Sequence, residues 1–372
     1  MKFLSKLLLK KLNHTTFILY RKVVLFQYDF FLFQSNNSYT IAAKRLTLLV
    51  KSHKPTATFN KTHNKPKNIN DMNRNCKRLL AAMCCISLLT ACNNPQTQTS
   101  QTSSSTDSIK LTFAYLTDVH LNQTNYGHCN EGLRQALECA KQQQAEMLLF
   151  GGDNAETDQL GNDETTADSL HAHFKRTVEE YGLPAHFTIG NHDRFYVFNG
   201  QKDTLGFKMF EKHYGKSYGS FDYKGIHFIR LNGMHPTKQA FATIDQEQIT
   251  WLKEDLAKTG LETPIVVSTH VPLLSLYYPV VEGSMQARDM IDNTKEIVDL
   301  LKPYNIKLIL QGHQHIYEQI QERGLWFVTA GGVSANWWTG PLADTEEGFL
   351  LIKVDNANNF SWEYIDYDWD VH

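Results

Sequence analysis

Residues 111–120 read LTFAYLTDVH, a run of apolar and β-branched side chains that stops at Asp118-Val119-His120. Short apolar stretches bounded by Gly, Asn, Asp or Pro read as buried strands. The same grammar returns four times. MLLFG precedes Gly152-Asp153-Asn154, AHFTI precedes Gly190-Asn191-His192-Asp193, PIVVST precedes His270-Val271-Pro272, and IKLILQ leads into Gly312-His313-Gln314-His315. Ligands of open α/β sheets bind beyond the carboxyl ends of the strands. The sequence therefore predicts one edge of one sheet carrying His120, His270, His313, His315, Asp118, Asp153 and Asn191, with His192 beside them.

Taken singly, each cluster is ordinary turn chemistry. Five of them at consecutive strand ends are hard to produce by turn preference alone. Imidazole and carboxylate mixed in one site suit first-row ions such as Zn, Fe or Mn, and cysteine plays no part. The set is too large for one catalytic ion and matches two.

In this order, D-x-H, G-D, G-N-H-D, a lone H and G-H-x-H, the blocks resemble the calcineurin-like metallophosphoesterases, over residues 111–330. That resemblance implies an α/β (α+β) fold, a four-layer αββα sandwich with two central mixed sheets flanked by helices. It implies two divalent ions (Mn, Fe or Zn), with Asp118, His120 and His315 on one, Asn191, His270 and His313 on the other, and Asp153 bridging both. His192, not a ligand, would face the substrate. The implied reaction is hydrolysis of phosphate monoesters or diesters by a metal-bridging hydroxide, which needs positioning and charge rather than a Ser or Cys nucleophile. His192 would protonate the departing alkoxide or bind the phosphoryl group. Some relatives place an Asp three residues after the bridging Asp to orient the catalytic His, whereas this chain has Glu156 there. Glu156 and Asp193 are the two candidates for that orienting role.

Helix-like segments fall near 130–144, with Asn130 as N-cap, and near 167–181, 246–258 and 286–301. Asp245 before Gln246-Glu247-Gln248 reads as an N-cap. SYGSFDYKGIHFIRLN reads as a hairpin turning at Lys224-Gly225. Strands alternating with helices early and hairpins late suggest two packed sheets with helices outside. About 265 residues from Ile109 onward suffice for one large domain, so 109–372 is read as undivided.

The front of the chain reads differently. From Met72 it runs MNRNCKRLLAAMCCISLLTACNN, a basic start, a short apolar stretch and Leu89-Thr90-Ala91-Cys92. This is the pattern of a secretory signal, and its last four residues resemble a bacterial lipobox. It implies a signal peptide at 72–91, lipid on Cys92, and an exported lipoprotein, periplasmic or on the cell surface, whose membrane contact is that anchor. Residues 92–108 are Gln/Thr/Ser-rich and read as a flexible tether. Residues 1–71 carry no feature of a fold, and a signal should stand at the N-terminus, so translation is expected to start at Met72 with 1–71 an over-extended frame.

Residues 1–78 hold 16 Lys/Arg against 2 Asp/Glu; the formal total of −2 then leaves −16 for residues 79–372. So acidic a catalytic part lacks the basic stripe that tracking nucleic acid requires, and no such polymer is expected as partner. A small phosphate ester is. Cys129 and Cys139 lie more than ~10 Å apart along one predicted helix and are expected to be unpaired.

Substrate residues are less legible. Trp337 and Trp338, on a Gly-rich loop after the strand-like LWFVTA, could stack a nucleobase or sugar, or plug the core. Tyr277 and Tyr278 are further possible pocket walls. His171, His173, His186, His213, His227 and His235 read as surface or structural. Two function classes stand: a phosphate-ester hydrolase, and a non-catalytic metal-containing lipoprotein that binds a phosphorylated ligand. Retention of His192 favours the first.

Overall fold

The computed structural model of the chain describes residues 108–286 and 288–371. The expected over-extended frame, signal peptide and lipidated Cys92, with the tether up to residue 107, lie outside the described residues. Among the described residues no helix is long and apolar enough to cross a membrane.

The chain opens with β1 (Ile109–Leu116), α1 (Tyr126–Gln142), β2 (Met147–Phe150), α2 (Glu164–Glu179) and β3 (Ala185–Phe187). A short ribbon, β4 (Val197–Phe198) with β5 (Gln201–Lys202), and α3 (Lys208–Tyr214) follow. Next come β6 (Gly219–Tyr223), β7 (Ile226–Leu231), α4 (Gln246–Thr259), β8 (Ile265–Thr269), α5 (Thr294–Leu301) and β9 (Ile306–Gln311). Two hairpins close the fold: β10 (Glu318–Glu322) with β11 (Leu325–Thr329), and β12 (Gly348–Asp355) with β13 (Phe360–Asp366).

Two mixed sheets result. One has the order β13-β12-β1-β2-β3, the other β10-β11-β9-β8-β7-β6. Each has a run of parallel strands, β1 to β3 in the first, with antiparallel strands beyond β1 only, and β7, β8, β9, β11 in the second, with an antiparallel strand at each edge. Alternation along the strands sorts side chains to two cores. Leu111, Phe113 and Tyr115 of β1 join Phe228, Val266, Leu308 and Leu310 of the other sheet in one apolar cluster between the sheets. Ala114 and Leu116 point the other way, into a cluster with the helical residues Leu133, Ala136, Leu137 and Phe174. On the far face, Asp255 of α4 bonds Ser220 of β6 and His227 of β7, tying that helix to the second sheet. The order of layers is helix, sheet, sheet, helix, as the resemblance implied.

Local expectations fare unevenly. Asp245 caps α4, its Oδ1 accepting from the Gln248 amide at 2.8 Å. The β6–β7 hairpin turns at Lys224 (φ 48°) and Gly225 (φ 70°), two left-handed residues as a tight right-twisting hairpin requires. Helix α1 begins four residues before Asn130, which is internal and accepts a hydrogen bond from Thr177 of α2 at 3.0 Å. The helix expected over 286–301 forms only from Thr294. Before it, the Ile291 amide bonds Pro272 O, the Asp292 amide bonds Ala242 O, and Asn293 exchanges side-chain bonds with Ile244, so this backbone is spent on tertiary contacts. Cys129 and Cys139 are both free.

Candidate metal centre

The five polar clusters meet, but from two sheets rather than one edge of one sheet. Asp118, His120, Asp153, Asn191 and His192 follow β1, β2 and β3 of the first sheet; His270, His313 and His315 follow β8 and β9 of the second. Face-to-face packing of two parallel centres brings their carboxyl ends to a common rim.

The backbone there is held in a demanding conformation. Asp118, His120, Asp153, His313 and His315 all have φ between 50° and 70°, a region non-glycine residues visit rarely. Cross-links enforce it. The amides of Asp118 and His120 bond the carbonyls of Gly152 and Asp153 at 2.9 Å, and the His313 amide bonds both Asp118 carboxylate oxygens at 3.0 and 3.1 Å. Gly152 has φ 105°, and a Cβ there would stand 2.6 Å from His270 Nδ1. At Gly190 a Cβ would stand 2.1 Å from Asp153 Oδ1, so neither glycine can carry a side chain while these groups keep their places.

Two separate triads could each hold an ion: Asp118, His120 and His315, and Asp153, His270 and His313, their ligand atoms within 4.8 Å of one another in each. A third grouping, His120, Asp153 and His192, overlaps both. Asp153 Oδ2 lies 3.0 Å from His270 Nε2 and 3.8 Å from His120 Nε2, between the triads.

Proton positions make the case for a cation. His120 Nδ1 faces Glu156 Oε1 at 3.0 Å, His270 Nδ1 faces Gly151 O at 2.9 Å, and His315 Nδ1 faces Ala335 O. Carbonyls and carboxylates only accept, so each Nδ1 donates and each neutral ring turns its Nε2 lone pair inward. The Nε2 atoms of His120 and His315 are 3.0 Å apart, both buried. At that distance they either share a proton or turn both lone pairs to one cation. Asn191 Oδ1 is buried without a hydrogen-bond partner, as a neutral oxygen ligand would be in its absence. Oxygen and imidazole donors at this density fit a divalent first-row ion.

Electrostatics agree. Burial opposes charge on His270, but Asp153 and Asp118 outweigh it and push the ring up to about 9. Asp118 is held well below the usual carboxylate range, because His315 and His270 overcome its burial. Burial and then His270 push His313 down to about 3, leaving that ring neutral and able to ligate. A bound ion would supply the charge these carboxylates draw, displacing protons as it binds.

His192 sits at the mouth. Its amide bonds Asp153 Oδ1 at 2.8 Å and its ring lies 5.0 Å from that of His120. The group on its Nδ1 is Asp158, at 2.9 Å. This corrects both expected orienting residues. Glu156 bonds His120 instead. Asp193 is buried and accepts from the amides of Gly190, Asn154 and Ala155 and from the Asn154 side chain, locking the β2 and β3 loops together. The acid that reaches His192 stands five residues past Asp153, at neither Glu156 nor Asp193.

The tryptophans divide. Trp338 is 3% exposed, donates to Val119 O at 2.9 Å and fills the space over Gly132, so it belongs to the core. Trp337 is 46% exposed and stacks on His315 at 4.3 Å. Phe241, which no sequence signal marks, stacks on His313 at 5.5 Å. Tyr277 and Tyr278 pack on each other, with the Tyr278 hydroxyl on Asp289. Of the histidines read as structural, His171 is buried against Tyr214 and Thr157, His213 pairs with Asp168, and His227 lies between Asp222 and Asp255.

The family model of the calcineurin-like phosphoesterases matches residues 111–317. A probable cyclic nucleotide phosphodiesterase of a Synechococcus species is 27% identical over 232 residues, 59% of this chain and 78% of that protein. Purple acid phosphatase 23 of Arabidopsis thaliana is 26% identical over 166 residues, 43% of this chain but only 28% of the plant protein. Among solved structures, a purple acid phosphatase from yellow lupin (Lupinus luteus) seeds superposes with a TM-score of 0.50 at 17% identity, covering 70% of this chain and 52% of the lupin chain, a likeness of fold alone.

Proposed function

Since this chain belongs to the calcineurin-like phosphoesterase family, we propose that it hydrolyses phosphate monoesters or diesters with two divalent ions, one in each triad, as an exported protein anchored by lipid on Cys92. The observation that carries the catalytic part is the buried pair of inward-facing Nε2 atoms on His120 and His315, 3.0 Å apart beside Asp118. Two inward nitrogens beside a buried carboxylate are a donor set that a divalent ion takes in place of a shared proton.

When bound, divalent ions supply charge that grips phosphoryl oxygens and activates the attacking water. Asp118, His120 and His315 would hold one ion, and His270 and His313 with Asp153 and Asn191 would hold the other. Glu156, Gly151 O and Ala335 O keep the imidazoles in the ligating tautomer. His192 stands outside the triads with Asp158 on Nδ1, so its Nε2 is free to hydrogen-bond the phosphoryl group and to pass a proton to the departing oxygen. The cyanobacterial relative's description puts diesters beside monoesters as substrates to test.

The test is hydrolysis of p-nitrophenyl phosphate and bis-p-nitrophenyl phosphate after chelation and add-back of Mn, Zn or Fe, with His192→Ala and Asp153→Asn alongside. Metal-restored turnover lost in both variants is expected. Bound metal with no turnover on either ester would instead favour a protein that binds a phosphorylated ligand. Export rests on the sequence of residues 72–92. Labelling with palmitate in a bacterial host should mark the wild-type chain and not Cys92→Ser; equal labelling would remove the anchor from the proposal.

A further inference from the structure

Trp337 is the least economical side chain around the metal centre. It lies outside the apolar core and leaves close to half its surface in solvent. Yet its loop is strained to present it: Ala335, Trp337 and Trp338 have φ of 39°, 49° and 67°, within four consecutive residues. Such strain persists only where surroundings over-determine it, and it gathers at functional sites. Here the surroundings are visible. Trp338 is buried and bonded to Val119 O, its amide bonds Ser334 O at 2.7 Å, the Asn336 amide bonds Gly340 O at 3.0 Å, and Ala335 O receives His315 Nδ1. What that scaffold holds out is one indole, stacked on His315 and with close to half its surface in solvent.

Its position beside His120 gives that exposed surface a use. The rings of His192 and Trp337 lie 5.0 and 5.4 Å from the same imidazole, that of His120. Both rings therefore border the same ligand, and an ester bound within reach of His192 can extend its alcohol toward Trp337. Phe241 lies against His313, a member of the other triad, and so flanks a different part of the site.

Resting on the hydrolase reading above, we propose that Trp337 is the stacking wall for the leaving group, and that this centre selects phosphate esters whose departing alcohol carries a flat ring close to the ester oxygen. Stacking on an indole is tolerant of ring type but rejects a small alkyl group, which offers no face. An aryl ester meets that requirement directly.

The metal-loaded protein is titrated calorimetrically with phenylphosphonate and methylphosphonate, which share the anionic head and resist hydrolysis, and kcat/KM is measured on phenyl phosphate and glycerol 2-phosphate. Wild type should favour the phenyl member of each pair. Trp337→Ala should lower phenylphosphonate affinity by about tenfold, the scale of one stacking contact, and leave methylphosphonate unchanged. Trp337→Phe should keep part of the preference, and Phe241→Ala should keep it all. Equal losses on both phosphonates in Trp337→Ala would overturn the proposal and make the indole a shield for His120 and His315. Absence of turnover on any ester would fail the hydrolase reading, while the phosphonate pair would still decide the role of Trp337.

Discussion

Asp158 Oδ1 lies 2.9 Å from Nδ1 of His192, both half-buried at the mouth of the metal centre. Two residues earlier in the same loop, Glu156 bonds Nδ1 of His120, a ring that faces inward. One loop thus carries two carboxylates that serve two histidines with different tasks, and the spacing of two residues turns them toward different partners. Removing either should be felt in a different quantity.

Asp158→Asn should lower kcat by one to two orders of magnitude with KM and metal content little changed. An amide no longer stabilises the protonated ring, and by donating to Nδ1 it would hold the neutral Nε2–H tautomer, a far weaker acid toward the departing oxygen than the imidazolium. Steady-state kinetics beside metal analysis of the same sample provide the check. A variant that loses metal in proportion to activity would show that Asp158 supports the triads instead.

Glu156→Gln should do the reverse. His120 exchanges a charged acceptor for a neutral amide that can also donate to Nδ1 and favour the wrong tautomer, and metal affinity should fall roughly 10- to 100-fold, the usual loss when such a partner is changed. Competition with a chromophoric chelator measures it. At saturating metal, kcat should return close to wild type; a defect that saturation cannot repair would place Glu156 in the chemistry.

The two adjacent tryptophans should part company in stability. Trp338 is buried over Gly132 with its indole nitrogen bonded to Val119 O, and Trp338→Ala should destabilise by about 3–5 kcal/mol. Trp337→Ala removes a half-exposed ring outside the core and should change stability by less than about 1 kcal/mol. Urea unfolding of the two variants compares them directly. Similar losses would mean that Trp337 is as structural as its neighbour.

The strand ends are legible in the sequence because a buried parallel strand is a continuous apolar run and a polar cluster must follow it. Asp118, Asp153 and His270 stand out for that reason alone. Which sheet each strand joins is not encoded locally, and so a single edge was expected where two sheets share the rim. Trp337 and Trp338 are indistinguishable by type and both have left-handed φ; they differ in burial, because only Trp338 finds a partner in Val119, more than two hundred residues away in the chain. Asp158 carries no local signal, because the path of the loop and not a fixed offset decides which carboxylate reaches His192. Phe241 has no local signal at all, since only tertiary folding lays its loop against His313.

A pH-dependent term in stability should come from His227, far along the fold from these clusters. Its Nδ1 lies 2.8 Å from Asp222 and its Nε2 2.9 Å from Asp255, which also accepts from Ser220. Burial disfavours the charged ring, but the two carboxylates outweigh it and raise its pKa above the ordinary 6.5. A raised folded-state value means that the protonated ring's stabilisation is complete below the unfolded pKa and is lost as pH rises through the folded one. Asp255 is shifted down despite its burial, first by His227 and Ser220, so its share appears above the ordinary aspartate value and disappears in acid. The stability gap between wild type and His227→Gln should therefore be widest near pH 5 to 6 and shrink as pH rises above about 7. Removing one partner of a buried charged hydrogen bond sets its scale at about 1–3 kcal/mol. Chemical denaturation at stepped pH reads the gap, and a difference that stays flat from pH 5 to 9 would show that His227 contributes by packing and not by charge.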